Sequence, residues 1–102
     1  MVNEFYYRKQ VVEIFGLEED FLDELEAEEL IRSLELGPDK ERAFSMEEVE
    51  RIRIICNLMR DLEVNLAGVE VILEMRENMI RMQRQFDEIL GSLVKELKQR
   101  LR

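Results

Sequence analysis

Eight carboxylates crowd the twelve residues from Glu18 to Glu29: Glu18, Glu19, Asp20, Asp23, Glu24, Glu26, Glu28 and Glu29. No base interrupts them. Carboxylates at this density could ligate a hard cation, share a proton as an acid–base pair, or present a field to a basic partner. The first two chemistries are poorly served. Sequence neighbours such as Glu18/Glu19 and Glu28/Glu29 point in different directions on a helix, and no loop has the ligand spacing of an EF-hand. The chain has no histidine, so acid–base work at neutral pH would fall to carboxylates or to Cys56, the single cysteine. One thiol cannot close a soft-metal site within a chain. It cannot form an intrachain disulfide either, and its apolar helical neighbours mark it as a buried structural residue. The four glycines, at 16, 37, 68 and 91, are too scattered for a phosphate-cradling loop. No enzyme, cofactor or metal site is expected, which leaves the acidic run as a recognition surface.

The charge is distributed to match. Residues 1–50 carry 16 acidic and 5 basic groups, a net of −11, while residues 51–102 carry 8 and 10, a net of +2. An acidic half suits a basic protein partner and suits nucleic acid or an anionic membrane poorly. The opening residues, Met1 to Gln10, hold no apolar run of the signal-peptide kind. No stretch approaches the roughly 18 consecutive apolar residues of a membrane span. A cytoplasmic protein is expected. At 102 residues the chain is one small domain with a helical extension.

The elements that must position the acidic run follow from period and punctuation. Tyr7 to Phe15 predicts a short helix with Tyr7, Val11, Ile14 and Phe15 on one face, stopped by Gly16. Glu18 to about Glu26 predicts a second, with Phe21, Leu22 and Leu25 inward and carboxylates in the first turn, where the helix dipole favours them. Two short helices about a Gly-Leu turn make a helix-turn-helix. Leu30 to Leu36, the turn signal Gly37-Pro38-Asp39 and a returning Arg42-Ala43-Phe44 predict a wing-like hairpin. Ser45 and Glu48 then form a capping box, with Phe44 and Val49 as its hydrophobic staple, opening a helix over 46–62. Asn65 is a second N-cap, and the helix it opens runs almost to the end. There Ile72, Met75, Met79, Met82, Phe86, Ile89 and Leu93 recur at alternating spacings of 3 and 4, the rhythm of a coiled-coil seam. The seam continues one position later through Leu90, Val94, Leu97 and Leu101, with Gly91 at the shift as a place to bend.

Two segments carry a family likeness. Phe44-Ser45-Met46-Glu47-Glu48-Val49-Glu50-Arg51-Ile52-Arg53 resembles the wing-to-third-helix junction of MerR-family regulators. Asn65-Leu66-Ala67-Gly68-Val69, followed by Ile72-Leu73-Glu74-Met75, looks like the start of the fourth helix in the heat-shock repressor (HspR) branch of that family. It is also similar to the chaperone modulators of CbpM type, MerR-like proteins that have taken up protein binding. The DNA-binding branch usually shows an Arg-Tyr-Tyr-Glu-like stretch in its second helix and an Arg-rich wing. Here the corresponding residues are Phe21-Leu22-Asp23-Glu24-Leu25 and Pro38-Asp39-Lys40-Glu41-Arg42-Ala43-Phe44. A helix meant for the major groove must meet phosphates with Lys and Arg, and carboxylates repel the duplex.

The resemblance implies a mainly α fold: a MerR-like winged helix-turn-helix with a small β-hairpin wing and a long C-terminal dimerisation helix. Residues 1–63 would hold the degenerate winged unit and third helix, and residues 64–102 the coiled-coil helix of the same structural domain. It also implies a partner, the J domain of a DnaJ-like co-chaperone, whose basic helix docks on an Hsp70-type chaperone. The eight carboxylates from Glu18 to Glu29 would bind that J domain and restrain its stimulation of the chaperone, with Phe21, Phe5 and Tyr6 as candidate anchors. Ile72, Met75, Met79, Met82, Phe86, Ile89, Leu93 and Leu97 would form a homodimer interface, antiparallel by family likeness. The alternative expectations are a DNA-binding transcriptional regulator of MerR/HspR type and a dimeric adaptor for some other basic protein.

Overall fold

In a computed structural model, which describes residues 4–101, the chain divides into two compact units, Met1–Leu66 and Ala67–Arg102. The first unit runs β1 (Phe5–Tyr7), α1 (Arg8–Phe15), α2 (Glu19–Ala27), β2 (Leu34–Leu36), β3 (Glu41–Ser45) and α3 (Met46–Cys56). One π-helical turn, Asn57–Asp61, follows α3. The second unit is essentially α4 (Leu66–Arg100).

The helix-turn-helix forms as its punctuation dictates. Gly16 takes the left-handed conformation (φ 61°, ψ 44°), and its N–H and that of Leu17 both return to the Val12 carbonyl, closing α1. Two residues later α2 starts with Glu19 and Asp20 in its first turn. The same device closes α2, but with a residue poorly suited to it. Glu29 adopts φ 59°, and the Leu30 N–H bonds the Leu25 carbonyl at 2.9 Å. A side chain at that φ crowds its own carbonyl, so glycine is the usual occupant.

The wing is a three-stranded antiparallel sheet in the order β1-β3-β2, rather than a two-stranded hairpin. β2 and β3 pair Leu34 with Ala43 and Leu36 with Glu41 across the Gly37 turn, as expected. The added strand, Phe5–Tyr7, pairs Tyr6 with Phe44 and Tyr7 with Ala43, so Tyr7 belongs to a strand and not to the first helix. Aromatic residues fit a pleated, half-buried surface, and three in succession outweigh the helical spacing of Tyr7. Consecutive strand residues face opposite sides. Ala43 and Phe44 are both fully buried, so both faces of the central strand are covered.

Ser45 caps α3 by accepting the Glu48 N–H at 3.3 Å. The reciprocal half of the capping box is absent. The Glu48 carboxylate instead accepts the Arg32 N–H at 3.1 Å, tying the α2–β2 connection to α3. The expected helix over 46–62 is regular only to Cys56. It then widens into the π turn, which ends as Glu63 turns left-handed (φ 55°) and the Val64 N–H bonds the Leu58 carbonyl. The core of the first unit is Val11, Leu22, Leu25, Phe44, Ile52 and Ile55, all fully buried. Each such side chain contributes about 1.5–3 kcal/mol relative to exposure.

In the second unit α4 is unbroken, running through Gly91 without a bend in its helical assignment. Among the described residues, no helix is long and apolar enough to cross a membrane.

Replacing Glu29 by glycine removes the left-handed penalty at the end of α2. It should raise stability by about 0.5–1 kcal/mol, after the greater freedom of glycine in the unfolded chain is counted. Urea unfolding of E29G checks this; a loss of stability would mean that residue 29 is not left-handed.

Candidate functional site

The eight carboxylates do not form one uniform surface. Helical geometry separates those within α2 onto two flanks on either side of the buried pair Leu22 and Leu25, with Glu18 at the extended N-cap and Glu28 and Glu29 at the helix end. Glu19, Asp23 and Glu26, spaced four and three apart, make one flank, and Arg8 is inserted against it. The Arg8 guanidinium donates to Glu26 Oε1 at 3.0 Å, to Asp23 Oδ1 at 2.6 Å and to the Glu19 backbone carbonyl at 2.9 Å, and its Nε lies 4.0 Å from Glu19 Oε1. Its side chain is 15 % exposed, so the planar fork is held between α1 and α2. Glu26 is the best shielded of its partners at 25 % exposure, against 68 % for Asp23.

The other flank is different. Glu18, Asp20, Glu24 and Glu28 are exposed, with no side-chain hydrogen bond or ion pair among the described residues, and Glu29 follows at the left-handed position. Glu24 and Glu28 lie one and two turns beyond the half-buried Phe21 on the same side. Phe5 and Tyr6, the other candidate anchors, are half-buried strand residues.

Arg51, Arg60 and Arg42 are likewise directed at the fold. Arg53 instead pairs with Glu50 on the exposed face of α3, and the Arg32 side chain stands exposed without a partner among the described residues. Arg51 Nε donates to the Leu30 carbonyl at 2.9 Å. Arg60, placed by the π turn, donates to the carbonyls of Phe15 and Gly16 at 2.7 and 2.9 Å, satisfying the last turn of α1. Arg42, one of two bases in the wing, folds back to Ser33 Oγ at 3.1 Å and approaches Glu35. Lys40 stands exposed between Asp39 and Glu41. Among the described residues, the helix-turn-helix and wing therefore carry exposed carboxylates on α2, with Lys40 and, on the connection into β2, Arg32 as bases whose side chains have no partner. None of these arginine contacts was anticipated. A signal for Arg8 existed: it and Lys9 are the only bases in residues 1–31, so one of them had to meet the acidic run.

Cys56 is 6 % exposed at the end of α3. Burial pushes its thiol above the ordinary range, and the neighbouring Arg60 charge only partly opposes this. The neutral thiol is a poor nucleophile. It forms part of the floor of an open groove of about 350 Å³ lined by Gly16, Leu17, Glu18, Phe21, Cys56, Met59 and Arg60. Among the described residues, no three Cys, Asp or Glu side chains converge to hold a metal ion.

On α4 the apolar stripe lies open. Ile72 is half-buried, whereas Met75, Met79, Met82, Phe86, Ile89, Leu93 and Leu97 are exposed, Met79 at 68 % and Phe86 at 57 %. Val69 and Leu73, in the first turns of the helix, are buried.

Helix-turn-helix, small sheet, third helix and long terminal helix, in this order, define a MerR-like winged-helix protein. Residues 7–90 match the family model for MerR HTH family regulatory proteins, and the chain belongs to that family. No curated protein and no solved structure gave a match.

Arg8 is the test of the internal flank. Replacing it with methionine keeps the stem and leaves three carboxylates facing one another. The cost should be about 1–3 kcal/mol. Most of it would come from Glu26, because the ion pairs of the more exposed Glu19 and Asp23 are screened by solvent. Denaturant unfolding of R8M against the native chain measures this, and an unchanged midpoint would show that Arg8 does not hold α1 to α2.

Proposed function

We propose that this MerR-family protein is a chaperone modulator. It binds the J domain of a DnaJ-like co-chaperone through the open flank of α2 and inhibits, by occlusion, stimulation of an Hsp70-type chaperone. The observation that carries this reading is the unneutralised row Glu18, Asp20, Glu24 and Glu28 on the helix that would otherwise read DNA, with Arg8 already engaged by the opposite flank. A basic helix is the physical complement of such a row, and charge complementarity gives it selectivity and a fast association rate. Supporting it further, the family likeness of the fourth-helix start, Asn65 to Val69, extends to modulators of this type. The protein would act as a homodimer paired along α4. An exposed stripe on a helix about 50 Å long is larger than the apolar patches that monomers usually leave uncovered. Each dimer would then offer two acidic surfaces.

Isothermal titration of the full chain with a J domain, at low and at physiological salt, should give saturable binding that weakens as salt rises. Substituting Asp20, Glu24 and Glu28 together by lysine should weaken it at least tenfold, on the order of 1.4 kcal/mol or more, and flatten the salt dependence. Absence of binding by the native chain at both salts would overturn the proposal. A shift of promoter DNA at physiological salt would then favour the regulator of MerR/HspR type.

The dimer has its own test. Met79→Asp with Phe86→Asp puts two carboxylates into the centre of the stripe and should yield monomers by sedimentation. A dimer that persists in this double variant would remove α4 from the interface.

A further inference from the structure

We infer that the groove between the helix-turn-helix and the π turn is the anchor pocket for one bulky apolar side chain of the bound basic helix. The carboxylates beside it would hold the lysines or arginines that flank that side chain. This rests on the proposed function and names the part of the site that contributes affinity rather than attraction.

The groove is built for an apolar group. Its floor is Leu17, Phe21, Cys56 and Met59, and among these Phe21 and Met59 are only half-buried, so apolar surface is left facing the opening. Arg60 forms a wall, its terminal nitrogens held on the carbonyls of Phe15 and Gly16; its charge remains on that side, so the bases of an incoming helix must lie on the carboxylate side. Gly16 adds no bulk: a Cβ there would meet nothing within 4 Å. A volume of about 350 Å³ is small and open for a metabolite site. It suits one or two large side chains presented from a helix surface.

The charges fix the occupant. Glu18 lines the groove, and Glu24 and Glu28 continue from Phe21 along the same side of α2, so the opening is bordered by uncommitted carboxylates on that side. A helix laid across it would need an apolar residue at the centre and bases three or four positions away, the pattern of helix-in-groove recognition with a basic helix. An acidic or uncharged amphipathic helix would lose the electrostatic component. A duplex has no protruding apolar group to fill the groove.

The apolar anchor and the acidic border separate experimentally. Met59→Gln keeps side-chain length and charge but makes that part of the floor polar. In titrations of the full chain with an isolated J domain it should weaken binding roughly tenfold, as a central contact does, with the salt dependence unchanged. Glu24→Gln should instead reduce the salt dependence. In a sample with 13C-labelled methionine methyls, the Met59 signal should shift on adding the J domain, while those of Met79 and Met82 stay in place. Far-ultraviolet circular dichroism confirms that the variants remain folded. If Met59→Gln binds with native affinity and the Met59 methyl does not move, while the Asp20/Glu24/Glu28 variant still loses binding, the pocket is overturned and the acidic flank stands. If the native chain binds no J domain, both are overturned.

Discussion

A helix with eight carboxylates in and around it cannot pack beside another helix unless some of that charge is answered locally. Arg8 supplies the answer, and the rest of the first unit is arranged around its position. The residue sits at the junction of β1 and α1, where the strand fixes its backbone and the helix projects its stem toward α2. One guanidinium reaching Glu26, Asp23 and the Glu19 backbone sets the rotation of α2 about its own axis. That rotation seats Leu22 and Leu25 in the core and leaves Phe21 at its edge. A different rotation would bury carboxylates or expose leucines, so charge pairing and hydrophobic burial agree on a single arrangement.

The same economy governs two other arginines of the first unit. Arg51 and Arg60 end on backbone carbonyls, where a guanidinium satisfies helix or loop ends that would otherwise lack donors. Their guanidinium groups are fixed in place by the fold, Arg60 at the edge of the groove beside α2. A helix-turn-helix that met phosphates would need the reverse allocation, with its arginines outward and its carboxylates paired or absent. The family fold is retained here while its electrostatic output is inverted. The fold establishes the family, and the charges have to be read separately to ask what this member binds.

Local signals were legible in the sequence, and long-range ones were not. Gly16, Gly37 and Ser45 act within four residues of themselves, so the ends of α1, the wing turn and the start of α3 followed from spacing. The buried face of α2 followed from period, but on α1 only Val11 of the expected face is buried; Ile14 is 60 % exposed, and Tyr7 belongs to β1. Glu48 has the spacing of half a local box, but its carboxylate serves Arg32, sixteen residues away, which no local pattern reports. The π turn answers a demand from Phe15 and Gly16, more than forty residues earlier, and the regular apolar spacing through Met59 and Leu62 concealed it. Left-handed Glu29 was invisible for a different reason. Its side-chain type argues against that conformation, and only the closure of Leu30 onto Leu25 imposes it. For the acidic site, composition gave the residues but not their division, because sorting Glu19, Asp23 and Glu26 from Glu18, Asp20 and Glu24 requires knowing where Arg8 lies.

The late shift in the α4 stripe has a geometric reading that does not need a bend at Gly91. A strict seven-residue repeat drifts about 20° per heptad around a straight helix, so the three heptads from Ile72 to Leu93 accumulate about 60°. Moving the stripe one residue later turns it about 100° the other way. Leu90, Val94, Leu97 and Leu101 therefore return to the side of the helix where Ile72 began. The helix is continuous across Gly91, as this account requires. Glycine there costs about 1 kcal/mol of helix propensity relative to alanine, and the apolar residues on either side keep one face without a kink. A helix pairing with this stripe would cross it with less supercoiling than an unbroken heptad repeat would impose.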